Sequence, residues 1–337
     1  LRGDFVALAE HLGRRVQRFA GDATRAESLR ILRLRRAALL EQRLGLLAEA
    51  KAELEALLEA HPGHASALRY LADLLEKTGD LAGALRALER LSALVAEDVE
   101  ARTEVDVRIA RVLLAEGKEQ EARTRVEAVL ARAESLEATE LLVELARRGD
   151  DPRRLGDALA RLAKISPADA EGRSEILVES AQAAARAGDV DGSIRRAQEA
   201  ARVAPHAGSV QLFARGLEYR TRGAGAPDEA RATLSSLQHV RPSLMPADVA
   251  LRAFLMAEAQ RAIPNGPNGL ELLLEARVES GPHPLLSLGI AERLAAQGRH
   301  DDALVAFDEA IVGPLLGMRR TAEVRLAASV SAERIGD

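Results

Sequence analysis

Seven histidines and a few adjacent carboxylates are the residues that could support metal binding or acid–base catalysis in this 337-residue chain. The nearest histidine pair, His61 and His64, lacks the carboxylate partner on a helix face that a zinc site would use. No HExxH, G-x-S-x-G or phosphate-loop motif occurs, and cysteine is absent. Acidic pairs such as Asp301–Asp302 fall where a helix would begin, and there they stabilise the helix dipole. The residues therefore predict no catalytic group, no cofactor and no metal site.

The composition excludes several classes of protein. Aromatic residues make up 2% of the chain and tryptophan is absent, so the thick cores of α/β enzymes and β-sandwiches are not expected. The net charge of −5 and the scarcity of aromatic residues argue against nucleic-acid binding. No apolar run is long enough for membrane insertion, and no secretory signal opens the chain. We expect a cytoplasmic protein, with the periplasm as the alternative.

A basic segment near the start of the chain could bind an anion, and two interpretations of it are open. Its arginines form either a solvated helix face paired with Glu27 and Glu41, or a site for an acidic peptide or a phosphate group. We favour the solvated face. The segment contains Arg25, Arg30, Arg33, Arg35, Arg36 and Arg43.

A turn glycine followed by a fixed spacing of apolar residues recurs along the chain. After Gly79, Ala84 lies five positions later, and Leu88 and Leu91 lie nine and twelve positions later. Apolar residues before the glycine also recur at helical spacing, so the glycine separates two amphipathic helices. Glycine suits the left-handed residue that ends a helix, and Asp80 can cap the next helix. The same spacing follows Gly45, Gly117, Gly188 and Gly298, and with one or two inserted residues it follows Gly149 and Gly223.

This recurrence predicts stacked helical hairpins. The small residue would lie where two helices cross closely, and the larger residues would fill the gaps beside it. One hairpin cannot bury its apolar face alone, whereas a stack of hairpins forms a continuous thin core. The segment Asn-Gly-Pro-Asn-Gly at 265–269 predicts a longer turn, between helices at roughly 247–263 and 269–280.

Residues 65–98 resemble the tetratricopeptide repeat family in the order of their apolar and glycine positions. The matching residues are Leu68, Leu71, Ala72, Leu75, Gly79, Ala84, Leu88 and Leu91. The resemblance implies an all-α fold, a right-handed α-α superhelix (solenoid) of about eight tetratricopeptide-like helix-turn-helix repeats. Another helical-hairpin solenoid or a toroid of helix pairs is the alternative architecture, but units of about 34 residues favour the tetratricopeptide repeat.

The repeat spacing also predicts how the chain is divided. Residues 1–30 would hold the second helix of a partial repeat, with Gly3-Asp4 in its turn, and a linker. Residues 318–337 would hold the first helix of a truncated further repeat, with Gly336-Asp337 after it. Both ends thus interrupt a repeat, which we interpret as a fragment of a longer bacterial protein whose uncapped ends would allow self-association. The array between them spans 31–317, in the units 31–64, 65–98, 103–136, 135–169, 174–207, 209–244, 247–283 and 284–317.

In tetratricopeptide proteins, the first helices line the concave surface of the superhelix, where peptides or partner proteins bind. The resemblance implies this role for the matching positions here, and an extended ligand with an acidic segment and apolar anchors would suit them. The family's chaperone-tail clamp is disfavoured because it needs asparagine on inner helices, and the two asparagines, Asn265 and Asn268, lie in a turn. The concave-surface candidates are Arg35, Leu39, Arg43, Arg69, Asp73, Lys77, Val107, Arg111, Val143, Arg147, Val178, Gln182, Phe213, Leu217, Leu288 and Glu292.

The sequence therefore predicts a non-catalytic scaffold for protein–protein interaction that binds a peptide or partner protein on its concave surface. The alternative is a regulatory or substrate-recruiting segment of a larger signalling enzyme, a kinase or protease, whose catalytic domain lies outside this chain. A toroidal enzyme acting on glycans is disfavoured, because sugar-binding platforms need aromatic residues that are scarce here.

Overall fold

The chain is helical wherever its structure is described. A computed structural model describes residues 2–240, 245–312 and 318–335, and all regular secondary structure in these ranges is helix. The all-α fold expected from the sequence is confirmed. The chain divides into two compact units, unit 1 (Leu1–Gly149) and unit 2 (Asp150–Asp337).

The helices of each unit follow one another with short connections. Unit 1 contains α1 (Arg2–Phe19), α2 (Ala26–Leu39), a π-helical turn (Leu40–Leu44), α3 (Leu47–Ala60), α4 (Ala65–Thr78), α5 (Leu81–Leu94), α6 (Val99–Ala115), α7 (Glu119–Arg132) and α8 (Leu136–Arg148). Unit 2 contains α9 (Pro152–Ile165), α10 (Ala170–Arg186), α11 (Val190–Val203), α12 (Gly208–Arg222), α13 (Pro227–His239), α14 (Pro246–Ala262), α15 (Leu270–Ser280), α16 (Pro284–Ala296), α17 (His300–Ile311) and α18 (Met318–Ile335).

Stacking of hairpins is visible in which helices touch. In unit 1 every helix packs against the next one along the chain, and α6 also contacts α8. In unit 2 the alternate helices α12, α14 and α16 contact one another in turn. Contact between alternate helices is what a stack of hairpins requires, because each pair then covers the apolar face of its neighbour.

Small residues are buried at the positions that the repeat spacing predicts. Ala84 is fully buried, and so are Leu88 and Leu91, which follow it on the same face of α5. A side chain of this size lets two helix backbones approach, and the leucines fill the space on either side. The equivalent small residues of the other helix pairs are buried as well: Ala50, Ala122, Ser193, Ala230 and Ala303.

The turn glycines end the first helices in the left-handed conformation. Gly79 has a φ of +80° and closes α4, and the carboxylate of Asp80 then accepts a hydrogen bond from the N–H of Gly83 at 2.9 Å. This bond caps α5 and satisfies one of its free N–H groups. Positive φ angles also occur at the expected glycines Gly45, Gly117, Gly188, Gly223 and Gly298.

The turn after α8 departs from this pattern. Gly149 has a φ of −77°, and the left-handed residue is Asp150, with a φ of +46°. Asp151 then caps α9 by accepting a hydrogen bond from the N–H of Arg154 at 3.1 Å. Because aspartate tolerates the left-handed region better than most residues, the residue inserted at this turn takes the place of the glycine.

Three further expectations concern turns. The turn expected at Gly3-Asp4 is wrong, because α1 begins at Arg2 and includes both residues. The longer turn between α14 and α15 is present, with positive φ at Asn265 and Gly269. Gly336-Asp337, which we expected to follow the last helix, lie outside the described residues. The C-terminal ends of the expected units 209–244 and 284–317 lie outside them as well.

We predict that Gly79→Ala lowers the free energy of unfolding by about 1 kcal/mol, because its φ of +80° is strained for any residue with a Cβ atom. Gly63→Ala is the matched control. Its φ is not positive, and an added Cβ would meet Leu94 at an ordinary 3.6 Å. Urea unfolding followed by circular dichroism measures both variants, and equal midpoints for Gly79→Ala and Gly63→Ala would contradict the prediction.

Candidate protein-binding face

The candidate surface is built from the exposed sides of the first helices α2, α4, α6 and α8, which we call the first-helix face of unit 1. Arg69, Lys77 and Arg111 are exposed on it, and Asp73 is partly exposed. The full set of predicted concave-surface residues that are partly or fully exposed is Arg35, Leu39, Arg43, Arg69, Asp73, Lys77, Arg111, Arg147, Val178, Gln182, Phe213 and Glu292.

Four predicted surface residues are instead buried in the core: Val107, Val143, Leu217 and Leu288. The expectation that they face a ligand is corrected on this ground. A first helix is covered on more than one side, since α6, for example, packs against α5, α7 and α8. Positions transferred along the chain at a fixed spacing therefore fall into the core where a helix has neighbours on both flanks.

Ion pairs join successive first helices across the first-helix face. Lys77 Nζ on α4 lies 2.6 Å from Glu41 Oε1 in the π-helical turn. Between α4 and α6, Arg69 Nη1 is 3.1 Å from Glu104 Oε1, and Arg108 Nε donates to Glu76 Oε1 at 2.8 Å. Arg108 also pairs with Asp73, and Arg111 Nη2 lies 3.2 Å from Glu137 Oε2 on α8. The charges of this face are therefore held at fixed positions by bonds between helices.

Glu41 is the anchor of the first of these contacts. Its side chain is buried, and it accepts hydrogen bonds from both Lys77 Nζ and Tyr70 Oη. Burial alone would raise the pKa of Glu41, but the two hydrogen bonds and the charge of Lys77 together hold it below the ordinary value. Burial of Tyr70 and its hydrogen bond to the Glu41 carboxylate raise the pKa of the Tyr70 hydroxyl well above its ordinary value.

A second kind of charge lies beneath the surface. Asp106 on α6 has 1% of its surface exposed and accepts a hydrogen bond from Ser92 Oγ at 2.8 Å. Arg125 and Arg132 of α7 donate to its two oxygens at 3.2 and 2.7 Å. One buried carboxylate thus fastens α5, α6 and α7, and its partners meet the hydrogen bonds that a buried charge requires.

Unit 2 contains a similar buried carboxylate, Glu258 on α14. It accepts hydrogen bonds from Tyr219 Oη on α12, from Arg261 at 3.0 Å and from Arg293 on α16 at 3.0 Å. Arg293, itself buried, also donates to the backbone oxygen of Asn268 in the long turn. The predicted surface residue Glu292 lies beside this cluster, 3.3 Å from Arg261.

Two of the histidines considered for metal binding instead cap helices. His64 Nδ1 accepts a hydrogen bond from the N–H of Ala67 at 3.2 Å, and His283 Nδ1 accepts one from Leu285 at 3.3 Å. Burial lowers the pKa of His283. Across the described ranges, no group of three histidine or acidic side chains is placed to bind a metal ion. In the same ranges, every helix is too short or too polar to cross a bilayer.

Several charged residues that join neighbouring helices were not predicted from the sequence: Glu76, Glu104, Arg108 and Glu258. A signal for them exists in the chain. Glu41 and Lys77 are 36 positions apart, Arg69 and Glu104 are 35 apart, and Glu258 and Arg293 are 35 apart. Opposite charges separated by about one repeat length are therefore the pattern that predicts contact between neighbouring helix pairs.

One segment of unit 1 matches the model of a known protein family. Residues 35–98, which include the turn at Gly79 and the ion pair of Glu41 with Lys77, match the family model described as tetratricopeptide repeat. Within the chain, this segment is therefore similar to tetratricopeptide repeats. Such repeats generally serve as scaffolds for protein–protein interaction. No curated protein matches the chain.

Several solved structures share features with the chain. The TPR domain of P58(IPK) is 14% identical, with 99% of this chain and 98% of that chain covered and a TM-score of 0.32. A tetratricopeptide repeat protein from Parabacteroides merdae is 13% identical, with 79% and 98% covered and a TM-score of 0.37. The C-terminal part of a TPR repeat-containing protein from Cytophaga hutchinsonii is 13% identical, with 86% and 98% covered and a TM-score of 0.38.

We predict that Asp106→Asn lowers the free energy of unfolding by about 2–3 kcal/mol, because it leaves two partly buried guanidinium groups without their counter-charge. Glu104→Gln, which removes one exposed acid on the same helix, should cost less than about 1 kcal/mol. Urea unfolding at neutral pH compares the two. A loss for Glu104→Gln as large as that for Asp106→Asn would refute this ranking of buried over exposed pairs.

The lowered pKa of Glu41 predicts a pH-dependent contribution to stability. A carboxyl group whose pKa is lower in the folded state stabilises the fold above its unfolded pKa, near 4.5, and loses this effect as the pH falls through the folded pKa. The difference in unfolding free energy between the native chain and Glu41→Gln should therefore be largest near neutral pH and shrink on acidification below 4.5. Urea unfolding of both proteins across this range measures it, and a difference that grows in acid would be inconsistent with the ion pair.

Proposed function

We propose that this chain is a non-catalytic scaffold that binds a peptide or a partner protein along the first-helix face of unit 1. The observation that carries the proposal is the row of exposed charges on α4 and α6, which the inter-helix ion pairs hold in place. A surface whose side chains are already ordered loses less conformational entropy when a ligand binds.

The arginine side chains of this face remain accessible although they form ion pairs. The side chain of Arg69 is 46% exposed and that of Arg111 is 54% exposed, although each already has a carboxylate partner. An exposed guanidinium can donate to a second carboxylate, because it has five N–H donors and a single acid occupies only some of them. The face is thus suited to a partner that presents acidic side chains along an extended stretch.

Selection from a random peptide display library against the purified full chain tests the proposal. We expect that selected peptides lose affinity by about tenfold for the double variant Arg69→Glu and Arg111→Glu, because charge reversal sets like charges against the ligand. The matched control is Arg86→Glu with Arg90→Glu, an equal charge change at exposed residues of the second helix α5. Failure to select any peptide, or equal losses for the two double variants, would overturn the proposal.

A further inference from the structure

An open groove of about 340 Å³ lies between α1 and α2, which we call the α1/α2 groove. Leu8 and Leu12, one helical turn apart, line it from α1, and Ala38 and Leu39 line it from α2. Leu8 is 45% exposed. The groove therefore presents aliphatic surface to solvent at a place where two helices already supply both walls.

Two guanidinium groups, those of Arg35 and Arg43, lie along the α2 side of this groove. Both side chains are exposed, and within the described ranges neither forms an ion pair. The nearby acids are already engaged, since Glu53 binds Arg33 and Arg36 while Glu41 binds Lys77 and Tyr70. The groove thus combines an apolar floor with positive charge that its own neighbours do not neutralise.

The backbone at the end of α2 is unusual at this groove. Leu40–Leu44 form a π-helical turn that ends at the left-handed Gly45. Two groove residues, Gln42 and Arg43, lie in this turn, and the guanidinium of Arg43 sits 5.5 Å from the centre of the Phe5 ring. Single π-helical turns within helices are frequent at functional sites. The contact with Phe5 also orders Arg43 before any ligand arrives.

We infer that the α1/α2 groove binds an acidic amphipathic helix of a partner protein. This inference rests on the proposed function and gives the chemistry of one part of the binding surface. Arg35 on α2 and Arg43 in the π-helical turn that follows it are eight positions apart, which is about 12 Å along a helix. A ligand helix with carboxylates at positions i and i+7 spans about the same distance on one face, and aliphatic residues at i+3 and i+4 then reach the groove floor.

The aromatic rings of this region argue against a nucleic-acid ligand. Binding of single strands uses exposed aromatic faces on which bases stack. Here Arg43 lies over Phe5, while Arg15 and Arg25 lie over Phe19 at 5.6 and 4.7 Å. With these rings covered by guanidinium groups and the floor lined by leucine and alanine, the groove is better suited to aliphatic side chains than to bases.

Fluorescence anisotropy with the full chain tests this inference. The probe is a labelled synthetic helical peptide with Glu at i and i+7 and Leu at i+3 and i+4. We expect the double variant Arg35→Glu with Arg43→Glu to weaken binding about tenfold or more, the exposed-residue variant Leu8→Ser to weaken it several-fold, and Arg35→Lys with Arg43→Lys to retain most of it. The matched control is Arg14→Glu with Arg18→Glu, two exposed arginines of α1 that do not line the groove.

Several outcomes would overturn the inference. A peptide with Lys in place of Glu could bind as tightly as the acidic peptide, or the Arg14 and Arg18 control could lose as much affinity as the Arg35 and Arg43 charge reversal. A labelled single-stranded oligonucleotide could also bind more tightly than the peptide, in a manner that depends on Arg35 and Arg43. Occupation of the groove by a second copy of the chain would overturn it as well. Sedimentation velocity would show this as self-association that is lost in the Arg35→Glu with Arg43→Glu variant. Library peptides that depend on Arg69 and Arg111 but not on Arg35 and Arg43 would leave the proposed function standing while this inference fails.

Discussion

A helical hairpin has apolar residues on more than one face, and only another hairpin can cover them. This constraint explains why small residues stand at the helix crossings of both units, with Ala84 in unit 1 and Ala303 in unit 2 fully buried. A larger side chain at either position would hold the helices apart and expose the leucine or phenylalanine that follows on the same face.

Electrostatic contacts add a second level of order to this apolar stack. The buried carboxylates Asp106 and Glu258 each bond groups from two other helices, and removal of either charge would leave at least one partly or fully buried arginine without its counter-charge. The surface pairs are individually weak, but they hold the exposed charges of the first-helix face in a fixed pattern. Stability and the proposed recognition would therefore depend on different charges of the same helix, because Asp106 faces inward on α6 while Arg111 faces solvent.

The sequence predicts local features of the fold well because they depend on few residues. The left-handed glycine at Gly79, the cap at Asp80 and the buried Ala84 follow from spacing within one hairpin. Burial of Val107 and Leu288 could not be predicted this way, because it is decided by helices that come earlier and later in the chain. The partners of the surface charges were missed for the same reason. Of the α1/α2 groove, the sequence offered Arg35, Leu39 and Arg43 as candidates but not the α1 wall at Leu8 and Leu12, since the two walls belong to different helices. The exchange of roles between Gly149 and Asp150 shows the limit of counting positions when one residue is inserted.

The ion pairs between neighbouring hairpins constrain how such an array can lengthen during evolution. Asp73 and Glu76 on α4 both bind Arg108, and the equivalent position on α4 itself is Tyr70, because Leu71-Ala72 corresponds to Ile109-Ala110. An exact tandem copy of the α4–α5 hairpin would therefore set a tyrosine against two carboxylates. Gene duplication supplies a new hairpin whose apolar faces already fit, but its charges match their new neighbours only after the copies diverge. The order of the hairpins is therefore constrained by their charged residues, which must match those of the neighbouring hairpin, and not by their leucines, which recur in every hairpin.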